Sequence, residues 1–140
     1  MIEAASIANI LGLGSSVQTL GQLELKVCAG LPKRSLERLS ERLHNDARSA
    51  STWKFNVVPA ATWKRRTTRL SVEESERTER IARVLAAAEY VFDDRDQARA
   101  WMNAPHRELD GQTPLEAARS ELGARRAEAV LDKLFFGLPV

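Results

Sequence analysis

Four helix-start signals divide this chain and leave little room for anything but helices. Thr19-Leu20-Gly21-Gln22, Ser71-Val72-Glu73-Glu74 and Thr113-Pro114-Leu115-Glu116 each place a hydroxyl three residues before a Gln or Glu. In such a capping box the hydroxyl accepts from one unpaired helical N–H, and the later side chain reaches back to another. Asp94-Arg95-Asp96-Gln97 offers the same spacing with a carboxylate, and Asp46 is a candidate cap for a short helix to about Phe55. Pro114 suits a first helical position, where a missing N–H breaks no bond.

The apolar residues between these signals recur at helical spacing. Leu20, Leu23 and Val27 share one face. Leu36, Leu39 and Leu43 share another over Pro32–His44, with Arg34, Glu37, Arg38, Glu41 and Arg42 on a solvated outer face. The helix that Ser71 opens is the longest and runs to about Phe92. It carries Ile81, Val84, Leu85, Ala88, Val91 and Phe92 behind a highly charged, solvated start. Ala98, Trp101 and Met102 belong to a helix that ends before Pro105, because proline disfavours helical backbone in the preceding residue. Asp110-Gly111 signals a turn. Gly123 reads as the left-handed C-cap of the helix opened by Thr113. Ala127, Val130, Leu131 and Leu134 define a last helix, stopped by Gly137 and Pro139. Residues 1–18 read as a short helix or a flexible tail, with Gly12, Gly14, Ser15 and Ser16 as a linker. The expectation is an all-α protein.

Composition narrows the class. At 140 residues, 44% hydrophobic and 29% charged, the chain has the balance of a globular protein. The single cysteine, Cys28, excludes an internal disulfide and fits a reducing compartment. No apolar run reaches the length of a membrane span, and Met1–Leu13 lacks the positive start of a signal peptide. A cytoplasmic location without membrane attachment is the expectation.

Charge is unevenly distributed. Residues 1–72 hold 11 Lys/Arg and 5 Asp/Glu, a net +6, whereas residues 73–140 hold 10 and 14, a net −4. Between Asp46 and Glu73 there is no acid, against six bases: Arg48, Lys54, Lys64, Arg65, Arg66 and Arg69. A run of one sign attracts phosphates. It coincides with a helix expected from Pro59 to about Arg69, preceded by a short helix and the turn Asn56-Val57-Val58. Helix, short turn and basic helix form a helix-turn-helix pattern. Lys54, Thr62, Lys64, Arg65, Arg66 and Arg69 are the candidate DNA contacts, with Trp63 packing inward.

Little here points to catalysis. His44 and His106 are the only histidines, and neither has ligand-spaced partners for zinc. Asp93, Asp94 and Asp96 read as helix-start acids rather than a metal site. No nucleophile–base set or glycine-rich phosphate loop stands out. A non-enzyme without cofactor, metal site or catalytic residue is expected.

The segment Phe135-Phe136-Gly137-Leu138-Pro139-Val140 has no charged side chain after Lys133. It either folds back on its own domain or serves another protein.

Trp101, Pro105, Leu109, Gly111, Thr113-Pro114-Leu115-Glu116, Gly123, Val130, Leu134 and Gly137 match the order and spacing of the toxin-binding domain of the Xre/MbcA/ParS antitoxin family, which this chain resembles over about residues 90–140. The resemblance is weaker but collinear over about 30–90. The chain ends in Leu134-Phe135-Phe136-Gly137-Leu138 where the family often has an I-E-x-G-type segment. The resemblance implies an Xre-like helix-turn-helix domain over 19–70, a connecting helix over 71–92 and a toxin-binding domain over 93–140. It also implies a partner: a RES-type toxin that consumes NAD or uses it to modify a protein. Trp101, Arg107, Leu109 and Thr113 would form a platform, and Phe135, Phe136, Leu138, Pro139 and Val140 a plug for the toxin's NAD pocket. Operator DNA, a homodimer and a hetero-oligomer with the toxin are further expectations. The alternative is a stand-alone helix-turn-helix regulator without a toxin.

Overall fold

A computed structural model describes residues 2–140; Met1, the start of the expected N-terminal segment, lies outside the described residues. The helices, in order, are α1 Ala4–Leu11, α2 Leu20–Cys28, α3 Lys33–Leu43, α4 Ala47–Thr52, α5 Ala60–Arg65, α6 Val72–Phe92, α7 Arg95–Met102, α8 Pro114–Ala117 and α9 Glu121–Phe135. Short 3-10 turns cover Trp53–Asn56 and Arg107–Leu109. The described residues contain no strand, and an isolated bridge pairs Pro32 with Arg69. Among them, no helix is long and apolar enough to cross a membrane.

The helix starts are set by their caps. Thr19, Ser71 and Thr113 each accept from the N–H three residues on, and Gln22, Glu74 and Glu116 close the boxes. Asp46 and Asp94 cap α4 and α7 without a reciprocal partner. Ser120, which carries no capping box, opens α9 by accepting from Gly123.

The 21-residue helix α6 packs against α1, α2, α3, α7 and α9. Ile81, Ala82 and every residue from Val84 to Ala88 are buried. A helix apolar around its circumference has to lie inside, and the three alanines at 86–88 keep its neighbours close. Ion pairs then fix the helices around it. Arg42 of α3 grips Glu89 through two bonds of 2.9 Å. Arg99 of α7 and Asn103 at its C-cap donate to the carbonyls of Arg42 and Leu43 at 3.1 and 2.9 Å. Arg80 and Arg83 reach Glu121 of α9 at 3.1 and 3.4 Å, and Arg83 also lies 3.1 Å from Glu128. In α1, Ile7, Ile10 and Leu11 are fully buried, and Ser35 of α3 donates to the Leu11 carbonyl at 2.8 Å. Residues 4–11 therefore belong to the core.

Several expected elements differ. The Thr113 helix is a single turn ending at Ala117, and Gly123 lies inside α9 rather than at a left-handed C-cap. Glycine is needed there for space: a Cβ at position 123 would sit 1.9 Å from the Ala117 carbonyl oxygen. Asp110 and Gly111 do form the expected turn, both at positive φ. α5 ends at Arg65, not near Arg69, because the chain leaves the helix with extended backbone at Arg66 and bends through Thr67 and Thr68 to lie beside the start of α3. There Lys33 N–H donates to Thr68 O at 3.0 Å and Leu70 N–H to Leu31 O at 2.8 Å. Leu20 is 69% exposed: it holds the first position of α2, beyond the reach of the core that takes Leu23 and Val27. Arg42 is not on a purely solvated face, since its pair with Glu89 is only 16% exposed on each side.

The charged start of α6 is also less solvated than its composition suggests. Glu74, Ser75 and Thr78 are buried. Ser75 Oγ accepts from Leu31 N–H at 2.8 Å, and Glu74 accepts two bonds from Arg66 at 3.0 and 3.1 Å. Burial pushes the Glu74 carboxyl up. The Arg66 guanidinium and the Ser71 N–H outweigh it and hold the group below its ordinary 4.5. A carboxyl held lower in the folded state contributes stability that is complete above 4.5 and is lost as pH falls through the folded value.

This packing is testable at two residues. Gly123→Ala, favourable in an ordinary helix interior, should here cost about 1–3 kcal/mol in urea unfolding, because the clash is with backbone; a stabilised variant would contradict the α8–α9 contact. Glu74→Gln should cost about 1–2 kcal/mol at neutral pH, the low range reflecting the partial exposure of Arg66. That deficit should close in acid, and one that persists unchanged would show that the carboxylate's charge is not what matters.

Candidate functional site

Two surfaces collect the candidate residues. The first is built on α5. Pro59 precedes it without a side-chain cap bond, and none of its six residues is buried. Trp63 is half-buried, with the Lys33 and Lys54 ammonium groups 4.4 and 4.6 Å from its ring centre. Trp63 packs inward against the edge of the hydrophobic core, as expected, and the two cations cover the rest of its ring.

The six candidate DNA contacts separate into two groups. Lys54 is held between the Trp63 ring and Glu37, 3.7 Å away. Arg66 is engaged with Glu74 at 3.0 Å. Arg69 donates to the Gly30 carbonyl at 2.8 Å. These three fasten the polypeptide around α5. Lys64 and Arg65 are exposed, and Arg65 makes one bond, to Thr62 Oγ1 at 3.2 Å. Arg48, outside the candidate set, is exposed on neighbouring α4. The charge available to a phosphate backbone is thus carried by Lys64, Arg65 and Arg48, with Thr62 beside them.

The second surface lies at the other end of the molecule, where α6 and α9 finish together. Phe135 ends α9, and its ring centre is 5.6 Å from Tyr90 and 5.1 Å from Phe136. Tyr90 is 52% exposed, Phe136 65% and Leu138 55%; Pro139 and Val140 are also exposed. Gly137, at φ 68, turns the backbone into a Schellman cap. Leu138 N–H reaches Lys133 O at 2.8 Å and Gly137 N–H reaches Leu134 O at 3.3 Å. The cap ends α9 with both phenylalanine rings and the residues after them exposed. Contiguous exposed apolar surface of this kind marks an interaction site more often than an isolated exposed residue does.

The platform residues occupy different roles. Trp101 is half-buried against Phe92 and His106, with ring centres 6.2 and 6.5 Å away, and its buried Nε1 has no partner among the described residues. Leu109 is fully buried and offers no surface. Thr113 spends its hydroxyl on the α8 cap. Arg107 is exposed on a turn anchored to α9 from both sides. Lys133 pairs with Glu108 at 3.0 Å, and Arg126 bonds Glu108 O and Asp110 at 2.9 Å each. Leu109 and Thr113 therefore shape this region from within, and Arg107 and Trp101 reach its surface.

Tyr90 is not among the residues that the sequence singles out. The available signal is its position: an aromatic residue beside, not within, the stripe of Ile81, Val84, Leu85 and Ala88 on α6. Among the described residues no group of three or more His, Cys, Asp or Glu could hold a metal ion.

Comparison with known proteins finds a known domain in each half of the chain. Residues 22–83 match the antitoxin Xre-like helix-turn-helix domain, and residues 87–137 match the antitoxin Xre/MbcA/ParS C-terminal toxin-binding domain. The two matches meet inside α6. The chain is also 33% identical over 78 residues to a Pseudomonas putida (strain KT2440) protein named Antitoxin Xre, a stretch covering 54% of this chain. It spans about half (49%) of that relative's length. With the two domain matches in sequence along most of its length, this all-helical chain belongs to the Xre/MbcA/ParS antitoxin family.

Proposed function

We propose that this protein is a cytoplasmic, cofactor-free, non-enzymatic antitoxin. Its C-terminal region, residues 93–140 with the end of α6, binds a RES-type, NAD-consuming toxin and covers its active site. The observation that carries this reading is the aromatic patch of Tyr90, Phe135 and Phe136, continued by Leu138, Pro139 and Val140, within and beside the stretch that matches a toxin-binding domain. Exposed rings, with Trp101 and Arg107 in the same matched stretch, have the composition of residues that dominate interface energy. The net −4 of residues 73–140 suits a pocket whose bases bind the phosphates of NAD.

The N-terminal half supports a second activity of the same protein, repression of its own operon. Lys64, Arg65 and Arg48 stand free on α4 and α5, in the region that matches a helix-turn-helix domain. A homodimer would place two such helices on half-sites about 34 Å apart, one helical turn of DNA. A regulator without a toxin uses this half alone, and the neighbouring gene distinguishes the two readings.

Cellular NAD tests the proposal. The neighbouring toxin gene is expressed alone, with this chain, and with this chain ending at Leu134. The toxin alone should deplete NAD, the full chain should restore it, and the truncated chain should fail to do so. Equal rescue by the truncated chain would move neutralisation to Trp101 and Arg107. A harmful toxin that leaves NAD level would indicate protein modification, and a harmless neighbour would favour the regulator.

A further inference from the structure

The basic helix α5 is short for the task assigned to it. Six residues make fewer than two turns, isolated helices of this length are not stable, and none of the six is fully buried: α5 reaches the core through the half-buried Trp63. Its C-terminal carbonyls also lack a following turn, because Arg66 leaves the helix with extended backbone at ψ 126. Helix ends need a partner for these groups.

One side chain supplies it. Lys33, the first residue of α3, projects across to α5 and donates from a single ammonium to Trp63 O and Arg66 O, at 3.0 Å each. The same ammonium lies 4.4 Å from the Trp63 ring centre. Its backbone N–H holds Thr68 O at 3.0 Å. A cation at a helix C-terminus is favoured both by the free carbonyls and by the helix dipole. With all these contacts, Lys33 does not face outward toward a phosphate.

We infer that Lys33 is a positioning residue for DNA binding: it fixes the end and the angle of α5 so that Lys64 and Arg65 meet the DNA together, without touching DNA itself. This rests on the proposed DNA-binding activity of α5. It makes a distinction that salt can read. A residue that contacts phosphate contributes to the slope of log affinity against log salt, by roughly one unit of slope per contact, whereas a residue that only orients the helix lowers affinity at every salt concentration alike.

The test uses the full chain and the DNA immediately upstream of its own coding sequence. Affinity is measured over a range of salt for the wild type, Lys33→Met, Lys33→Arg and the double variant Lys64→Ala with Arg65→Ala. Amide hydrogen exchange of α5 and α6 is followed in parallel. Lys33→Met should bind about tenfold more weakly, the loss expected for charge-assisted bonds to two carbonyls, with the wild-type slope retained. Its α5 amides should exchange faster while those of α6 stay protected, which separates local release of α5 from global unfolding. Lys33→Arg, which can also donate to two carbonyls, should recover most of the affinity. The double variant should lose slope as well as affinity. Wild-type affinity in Lys33→Met, or a slope reduced by about one, would overturn the inference, the latter by making Lys33 a phosphate contact. Loss of protection in α6 as well as α5 would also overturn it, since Lys33 would then support the whole fold. If the wild type binds no DNA but the double variant and Lys33→Met are folded, the DNA-binding reading itself falls and takes this role with it.

Discussion

The burial of α6 on nearly all sides is the constraint on which the rest of this structure depends. Its middle is covered almost all round: Ile81, Ala82 and Val84–Ala88 are buried, and Arg83 between them reaches the surface. A helix of that kind is stable only once its neighbours are in place, so the N-terminal helices and the C-terminal ones depend on the same core. The salt bridges Arg42–Glu89 and Arg83–Glu128 lie on the boundary of that core and bind α3 and α9 to opposite portions of α6. Burial raises the Glu128 carboxyl, and the nearby Glu121 and Asp132 add to that rise against the pull of Arg83, so this second pair adds to the apolar contacts of α9 rather than replacing them.

From that central helix the two candidate surfaces are carried in different directions. Near its start, Glu74 captures Arg66, the first residue past α5. Near its finish, Tyr90 meets Phe135 as α9 ends. The same physical logic applies at both ends: some residues of each surface are used to build it, and the remainder stay available. Lys54, Arg66 and Arg69 are used on the basic side, leaving Lys64 and Arg65. Leu109 and Thr113 are used on the other, leaving Arg107 and the rings. A count of basic or aromatic positions therefore overstates the number of groups that a partner can meet.

Much of the fold is legible in the sequence because caps are local. Thr19, Ser71 and Thr113 act on N–H groups three residues away, and nothing distant can change what they do. The end of a helix is less local. α5 stops at Arg65 because contacts outside the helix hold the chain that follows it: Lys33, 30 residues from Trp63, and Glu74, on the next helix. Gly123 misleads for the same reason: a glycine serves equally for positive φ or for close approach, and only the Ala117 carbonyl beside it decides between them. The buried start of α6 is hidden by its charge, since Glu74 has its partner at Arg66 in another segment. The aromatic tail is visible as a sequence anomaly. Its extension to Tyr90 is not, because that contact joins residues 45 positions apart.

The claim that unites these observations is that the protein meets its toxin partner at the shared end of α6 and α9, with α5 left free for DNA. Amide hydrogen exchange of this chain, alone and with the purified product of the neighbouring toxin gene, tests it most directly. The account predicts protection on binding at Tyr90 and across residues 134–140, with α5 exchanging as in the free protein. Protection concentrated on α2, α4 or α5, with the aromatic patch unchanged, would contradict it.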